Sequence, residues 1–91
     1  MKNKTAFITG ATSGIGMATA KLFAKNGLKL ILCGRREDRL KKLSKELSIF
    51  TEVHTLSFDV RNKEAVFSAV NSLPKQFSEI DILINNAGNA H

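Results

Sequence analysis

Three glycines and two hydroxyl side chains are packed into the seven residues Gly10-Ala11-Thr12-Ser13-Gly14-Ile15-Gly16, in the spacing G-x-x-x-G-x-G. The chemistry that such a string suits is holding a phosphate. A helix N-terminus presents unpaired N–H groups and roughly half a positive charge, so it attracts anions provided that side chains do not keep them away. The first glycine permits a tight turn off a strand, the second lets a pyrophosphate approach the backbone, and the third lets helix and strand pack closely. Thr12 and Ser13 add hydroxyl donors. Glycine-rich strings also collect in ordinary turns, so the context decides. Here the string follows an apolar run, opens a helical pattern, and a second apolar run ends about twenty residues later, which is the placement a dinucleotide requires.

That second run ends at Gly34, followed by Arg35 and Arg36, where a site for an unphosphorylated ribose would offer a carboxylate. Guanidinium groups hold a 2′-phosphate with charge-assisted bonds and stack on an adenine plane. The pair therefore points to NADP(H) rather than NAD(H). In the alternative, both arginines are only the solvated start of the next helix, although cations at a helix N-terminus are mildly unfavourable.

The elements that must position these residues follow from hydrophobic spacing. Thr5 to Thr9 reads as a strand buried on both faces. From Gly14 to Asn26, Ile15, Ala18, Leu22 and Phe23 recur at helical spacing, and Asn26-Gly27 supplies a helix stop. Leu28 to Cys33 is a second strand, and Leu40, Leu43 and Leu47 stripe a second helix with Glu37 and Asp38 near its positive end. Val53 to Phe58 is a third strand. Val66, Phe67, Val70 and Leu73 stripe a third helix stopped by Pro74, and Ile80 to Ile84 is a fourth strand. The order βαβαβαβ, with right-handed crossovers, predicts an α/β fold: a Rossmann-type, doubly wound parallel sheet, of which this is the N-terminal half.

Composition narrows the function classes. The 91 residues are 43% hydrophobic and 24% charged, with a formal net charge of +6, values ordinary for one packed domain. No stretch reaches the roughly 20 apolar residues of a membrane span, and no signal peptide is recognisable. The lone Cys33 has no disulfide partner and no metal-ligand spacing, so no metal site is expected and a reducing, cytoplasmic setting is. Basic residues are interleaved with acids, as in Arg35-Arg36-Glu37-Asp38-Arg39, and base-stacking aromatics are absent there. That pattern argues for solvated helix faces and an anionic small molecule, not nucleic acid.

With Asp59-Val60 after the third strand and Asn85-Asn86-Ala87-Gly88 after the fourth, the chain resembles the N-terminal half of a short-chain dehydrogenase/reductase over essentially its whole length. Four motifs occur in that family's order: TGxxxGxG at Thr9 to Gly16, the basic pair, the DV pair, and NNAG. The resemblance implies that Asp59 accepts from the adenine amino group with the Val60 backbone beside the ring. It also implies that Asn86, Ala87 and Gly88 border the ribose and nicotinamide, that Asn86 ties the fourth strand to its neighbours, and that Ile15 packs near the nicotinamide end. Read from the residues alone, Asp59 is also a possible cap of the third helix, as is Asn62, and Asn85 and Asn86 are possible turn residues.

The chain is further similar to NADP-dependent 3-hydroxy acid (serine) dehydrogenases. Such a resemblance implies an enzyme that moves hydride between NADP(H) and a small alcohol or carbonyl substrate, such as a 3-hydroxy acid or its semialdehyde, as a dimer or tetramer. The family's catalytic Ser and Tyr-x-x-x-Lys have no counterpart here, because the sequence contains no tyrosine. Residues 1–91 are therefore expected to be the cofactor-binding half, cut before the catalytic segment and inactive alone, with His54 and His91 not catalytic. A non-catalytic NADP(H)-binding module or redox-sensing partner protein is the competing expectation.

Overall fold

A computed structural model describes residues 3–86. The strands β1 (Thr5–Thr9), β2 (Lys29–Gly34), β3 (Val53–Ser57) and β4 (Ile82–Asn85) alternate with the helices α1 (Gly14–Lys25), α2 (Glu37–Leu47) and α3 (Lys63–Asn71), and a 3-10 turn at Lys75–Phe77 precedes β4. All strand pairs are parallel, in the order β3-β2-β1-β4. The predicted α/β architecture is what the chain adopts. Pairing aligns Thr9 with Cys33 on one side and with Asn85 on the other, while Gly34 aligns with Ser57. The carboxyl ends of the four strands therefore finish together.

Two apolar layers sandwich the sheet. Ala6, Ile8, Leu30 and Leu32 face α1 and α2, meeting Ala20, Ala24, Leu40, Leu43 and Leu47. Phe7, Ile31 and Cys33 face the other way, against Phe77, Leu56, Phe58 and Leu73. Each fully buried leucine contributes about 1.5–3 kcal/mol relative to an exposed one. Every residue of β1 is buried, as its unbroken apolar run predicts.

The helix faces differ from the periodicity in instructive ways. The inward face of α1 is Gly16, Ala20 and Ala24, whereas Ile15 and Leu22 are 76% and 60% exposed. The cause is proximity. A Cβ on Gly16 would stand 2.1 Å from the Gly10 carbonyl oxygen, so the axis runs too near the sheet for large side chains on that face. On α3 the partly buried residues are Ala65, Val66 and Ala69, and Phe67 and Val70 point outward. No side chain of this helix is fully buried.

Element ends follow local chemistry. The end of α1 is a Schellman turn in which the Leu28 N–H donates to the Phe23 carbonyl and the Gly27 N–H to that of Ala24, with Gly27 at φ +81°. Helix α3 stops at Asn71, three residues ahead of Pro74, which instead opens the 3-10 turn. Asp81 fastens the start of β4 to β1 by accepting from the Thr5 N–H at 2.9 Å and donating its own N–H to the Thr5 carbonyl at 2.9 Å.

Phe67, Val70 and Leu83 leave a large apolar area in water on the α3 and β4 side. Expressed alone, the 91-residue chain is expected to self-associate. Sedimentation velocity checks this, and a single compact monomer at every concentration would refute it.

Candidate cofactor-binding site

Bonds across the strand ends gather the loops. The N–H of Ala11 donates to the Cys33 carbonyl at 3.1 Å, and that of Phe58 to the Gly34 carbonyl at 3.1 Å. Gly10 turns the chain off β1 at φ +63°, and Gly14 starts α1 at φ +33°, both conformations that favour glycine. A Cβ on Gly14 would meet nothing within 4 Å, so the backbone there faces open space. Helix α1 has no side-chain cap and no acidic residue in its first turn. By contrast, α2 carries Glu37 and Asp38, and the Asn62 side chain of α3 accepts the Ala65 N–H at 3.1 Å. The positive end of α1 is thus left for an anion from outside the chain.

Beside this turn lies a cavity of about 710 Å³ walled by the ends of all four strands. Thr12, Ser13, Arg35, Arg36, Asp59 and Val60 line it, as does Gly10. The remaining predicted site residues sit around it. The Ala11 side chain is buried in the core, Gly16 is pressed against Gly10, and Ile15 projects outward from the first turn of α1. Asn86 donates its backbone N–H to Thr9 Oγ1 at 3.0 Å, while Thr9 Oγ1 donates to Asn85 Oδ1 at 2.9 Å. The side-chain tie of β4 to β1 is therefore made by Asn85, which also lines the cavity. Asn86 Nδ2 is buried without a hydrogen-bond partner among the described residues. Ala87 and Gly88 lie outside the described residues.

Two cavity arginines went unrecognised in the sequence. Arg39 lies one helical turn beyond Arg35 and Arg36, a spacing that places all three on one side of α2's start. Arg61 carries no periodic signal, but Asp59 Oδ1 accepts its backbone N–H at 2.9 Å in an Asx turn, which an Asp two residues ahead of it hints at. The Arg61 guanidinium donates to both Asp59 oxygens, through Nη2 at 2.8 Å and Nε at 3.1 Å. These bonds, with Arg35 close by, hold the Asp59 carboxyl well below the usual carboxylate range. Asp59 therefore does not cap α3; Asn62 does.

The other titratable candidates stand apart. His54 packs its ring on Phe77, centroids 5.5 Å apart, outside the cavity wall. Burial pushes the Cys33 thiol up to about 12. Among the described residues no cluster of His, Cys, Asp or Glu has the arrangement for a metal ion, and no helix is long and apolar enough to cross a membrane.

A glycine turn under an uncapped helix, at the point where strand order reverses between β1 and β4, is the placement of a dinucleotide site. The short chain dehydrogenase family model matches residues 4–91. The chain belongs to the short-chain dehydrogenase family. It is 53% identical over 81 residues to sulfoacetaldehyde reductase 2 of Chromohalobacter salexigens, covering 89% of this chain and 32% of that protein. It is 51% identical over 84 residues to serine 3-dehydrogenase of Rhizobium radiobacter, covering 92% and 33%. L-Sorbose reductase of Gluconobacter frateurii, solved with NADPH and L-sorbose, superposes with a TM-score of 0.88 at 41% identity, over 97% of this chain and 34% of that one. This short-chain dehydrogenase sequence spans about a third of the length of the relatives it matches.

The Gly16 contact yields a direct test. Gly16→Ala has to displace the Gly10 backbone, at a cost of about 1–3 kcal/mol or more, and so moves the turn itself. The variant is expected to melt earlier and to lose affinity for NADPH and NADH alike, by thermal denaturation and fluorescence titration. Wild-type affinity would show that the contact does not shape the site.

Proposed function

We propose that residues 1–91 are the NADP(H)-binding half of a short-chain oxidoreductase. The observation that carries this reading is the cavity itself, where an uncapped, acid-free helix start meets four arginines across one opening. The residues fit the group. The first-turn amides of α1, with Thr12 and Ser13, take the pyrophosphate, and the open backbone at Gly14 lets it approach. Arg35 and Arg36 take the ribose 2′-phosphate, and Asp59 with Val60 borders the adenine. The family resemblance assigns Asn86, Ala87 and Gly88 to the ribose and nicotinamide, and the donor left over at Asn86 Nδ2 supports a polar partner at Asn86.

NADP(H), when bound, supplies or accepts hydride. These residues hold and orient it. The catalytic Ser and Tyr-x-x-x-Lys belong to sequence other than these 91 residues, which contain no tyrosine. The substrate of the whole protein is a small alcohol or its carbonyl counterpart, and the likeness to serine 3-dehydrogenase and sulfoacetaldehyde reductase favours a short chain bearing an acid group, such as a 3-hydroxy acid or its semialdehyde. The same reading includes a cytoplasmic enzyme working as a dimer or tetramer.

In the full-length protein, Arg35→Asp combined with Arg36→Ala is expected to weaken NADPH binding roughly a hundredfold, at about 1.5–3 kcal/mol per charged bond lost, and to leave NADH nearly unchanged. Equal losses, measured by calorimetric titration, would remove the 2′-phosphate assignment. A pH series gives a second check. A phosphomonoester loses its second charge below about pH 6, whereas arginines stay charged. Asp59, with its carboxyl depressed, contributes above the ordinary carboxylate range and drops out only as pH falls through its lowered value. The preference for NADPH over NADH should therefore shrink between about pH 7.5 and 5 by loss of phosphate charge alone. A flat preference across that interval would contradict the assignment.

A further inference from the structure

One group in the cavity is unexplained by the glycine turn or the basic pair. Asp59 Oδ2 accepts from Arg61 Nη2 at 2.8 Å and lies 3.6 Å from Arg35 Nη1. Two guanidiniums from different loops, one after β2 and one after β3, thus converge on a single carboxylate oxygen. Their side chains are 67% and 79% exposed, so packing does not force them together. Like charges repel, and the carboxylate is the group that draws them in. A guanidinium offers five N–H donors in a planar fork. Arg61 uses the edge formed by Nε and Nη2 on Asp59. Its Nη1 donors have no partner among the described residues, which leaves a second edge able to take another oxyanion. Arg36 and Arg39 also line the cavity, so its lining holds four arginines and one carboxylate, a clear excess of positive charge.

We propose that Arg61 is a specificity-determining residue for the phosphorylated cofactor, giving its free edge to the ribose phosphomonoester beside Arg35, with Asp59 as the positioning residue that holds both guanidiniums. The inference rests on the reading of the cavity as an NADP(H) site. A phosphomonoester suits the pair better than the pyrophosphate does. It carries up to two charges on three oxygens and so can engage two forks at once, and the pyrophosphate already has the amides of α1.

The test is a set of dissociation constants for NADPH and NADH, measured calorimetrically on the full-length protein. Arg61→Ala is expected to weaken NADPH roughly ten- to thirtyfold and NADH less than about twofold, with a shallower dependence of NADPH affinity on salt. Arg61→Lys should restore only part of the loss, because a single ammonium cannot bridge Asp59 and the phosphate. Asp59→Asn makes the cavity more positive, so charge alone would tighten NADPH, whereas a positioning role weakens it relative to NADH. Equal effects on both cofactors, or tighter NADPH binding by either the Arg61→Ala or the Asp59→Asn protein, would overturn the proposal. The Arg35 and Arg36 double variant separates the two levels. If it loses NADPH selectivity while Arg61→Ala keeps it, Arg61 has no such role and the site reading stands. If neither variant loses selectivity, the NADP(H) reading falls and this inference with it.

Discussion

The approach of α1 to β1 at Gly16 governs much of this structure. With the Gly10 carbonyl only 2.1 Å from where a Cβ would sit, the first turn of the helix lies directly on the turn that leaves the strand. Its free amides are thereby aimed past the carboxyl end of β1, and Ala20 and Ala24 must follow as small residues one and two turns on. Larger side chains are displaced to the outer face, which is why Ile15 and Leu22 stand in water. Helix α2 is not constrained in this way and packs through Leu40, Leu43 and Leu47. A backbone contact thus sets both the packing of one layer and the place where an anion is welcome.

Charge is arranged around that place with the opposite logic from ordinary helix capping. Acidic residues are kept out of the first turn of α1 and supplied to α2, where Glu37 also pairs with Lys41 at 2.9 Å. This offsets part of the mild penalty, of the order of 0.3–1 kcal/mol per charge, for arginines at the start of α2. The cavity gains guanidiniums from Arg35 ahead of α2, Arg36 at its cap, Arg39 in its first turn and Arg61 in the loop after β3, without losing the helix. Asp59 is the counterweight, a carboxylate held ionised by Arg61 and Arg35 and so available to orient them.

Much of the architecture was legible in the sequence because it rests on local rules. Unbroken apolar runs, leucines at helical spacing on α2, the Asn26-Gly27 stop and the strand-helix alternation each lead to the observed element, and right-handed crossovers then leave little choice of topology. The strand bounds moved by one or two residues, since pairing with neighbours, not apolar content, decides where β2 and β4 end. The inner face of α1 was misread for a different reason. Periodicity reports which residues are apolar, but the distance between helix and sheet decides which of them fit between the two.

The position of the glycine turn and the basic pair at the ends of β1 and β2 was also legible in the sequence, since it depends on backbone freedom and charge at the end of one element, and the family resemblance pointed to Asp59 and Val60 at the end of β3. Only the tertiary structure decided that Arg39 and Arg61 share the cavity, that Asn85 rather than the Asn86 side chain bonds to Thr9, and that Arg35 and Arg61 meet at one oxygen of Asp59. These are contacts between residues far apart in the chain. They arise because parallel pairing brings four strand ends to one line, and no local pattern in any single segment encodes which side chains then face one another.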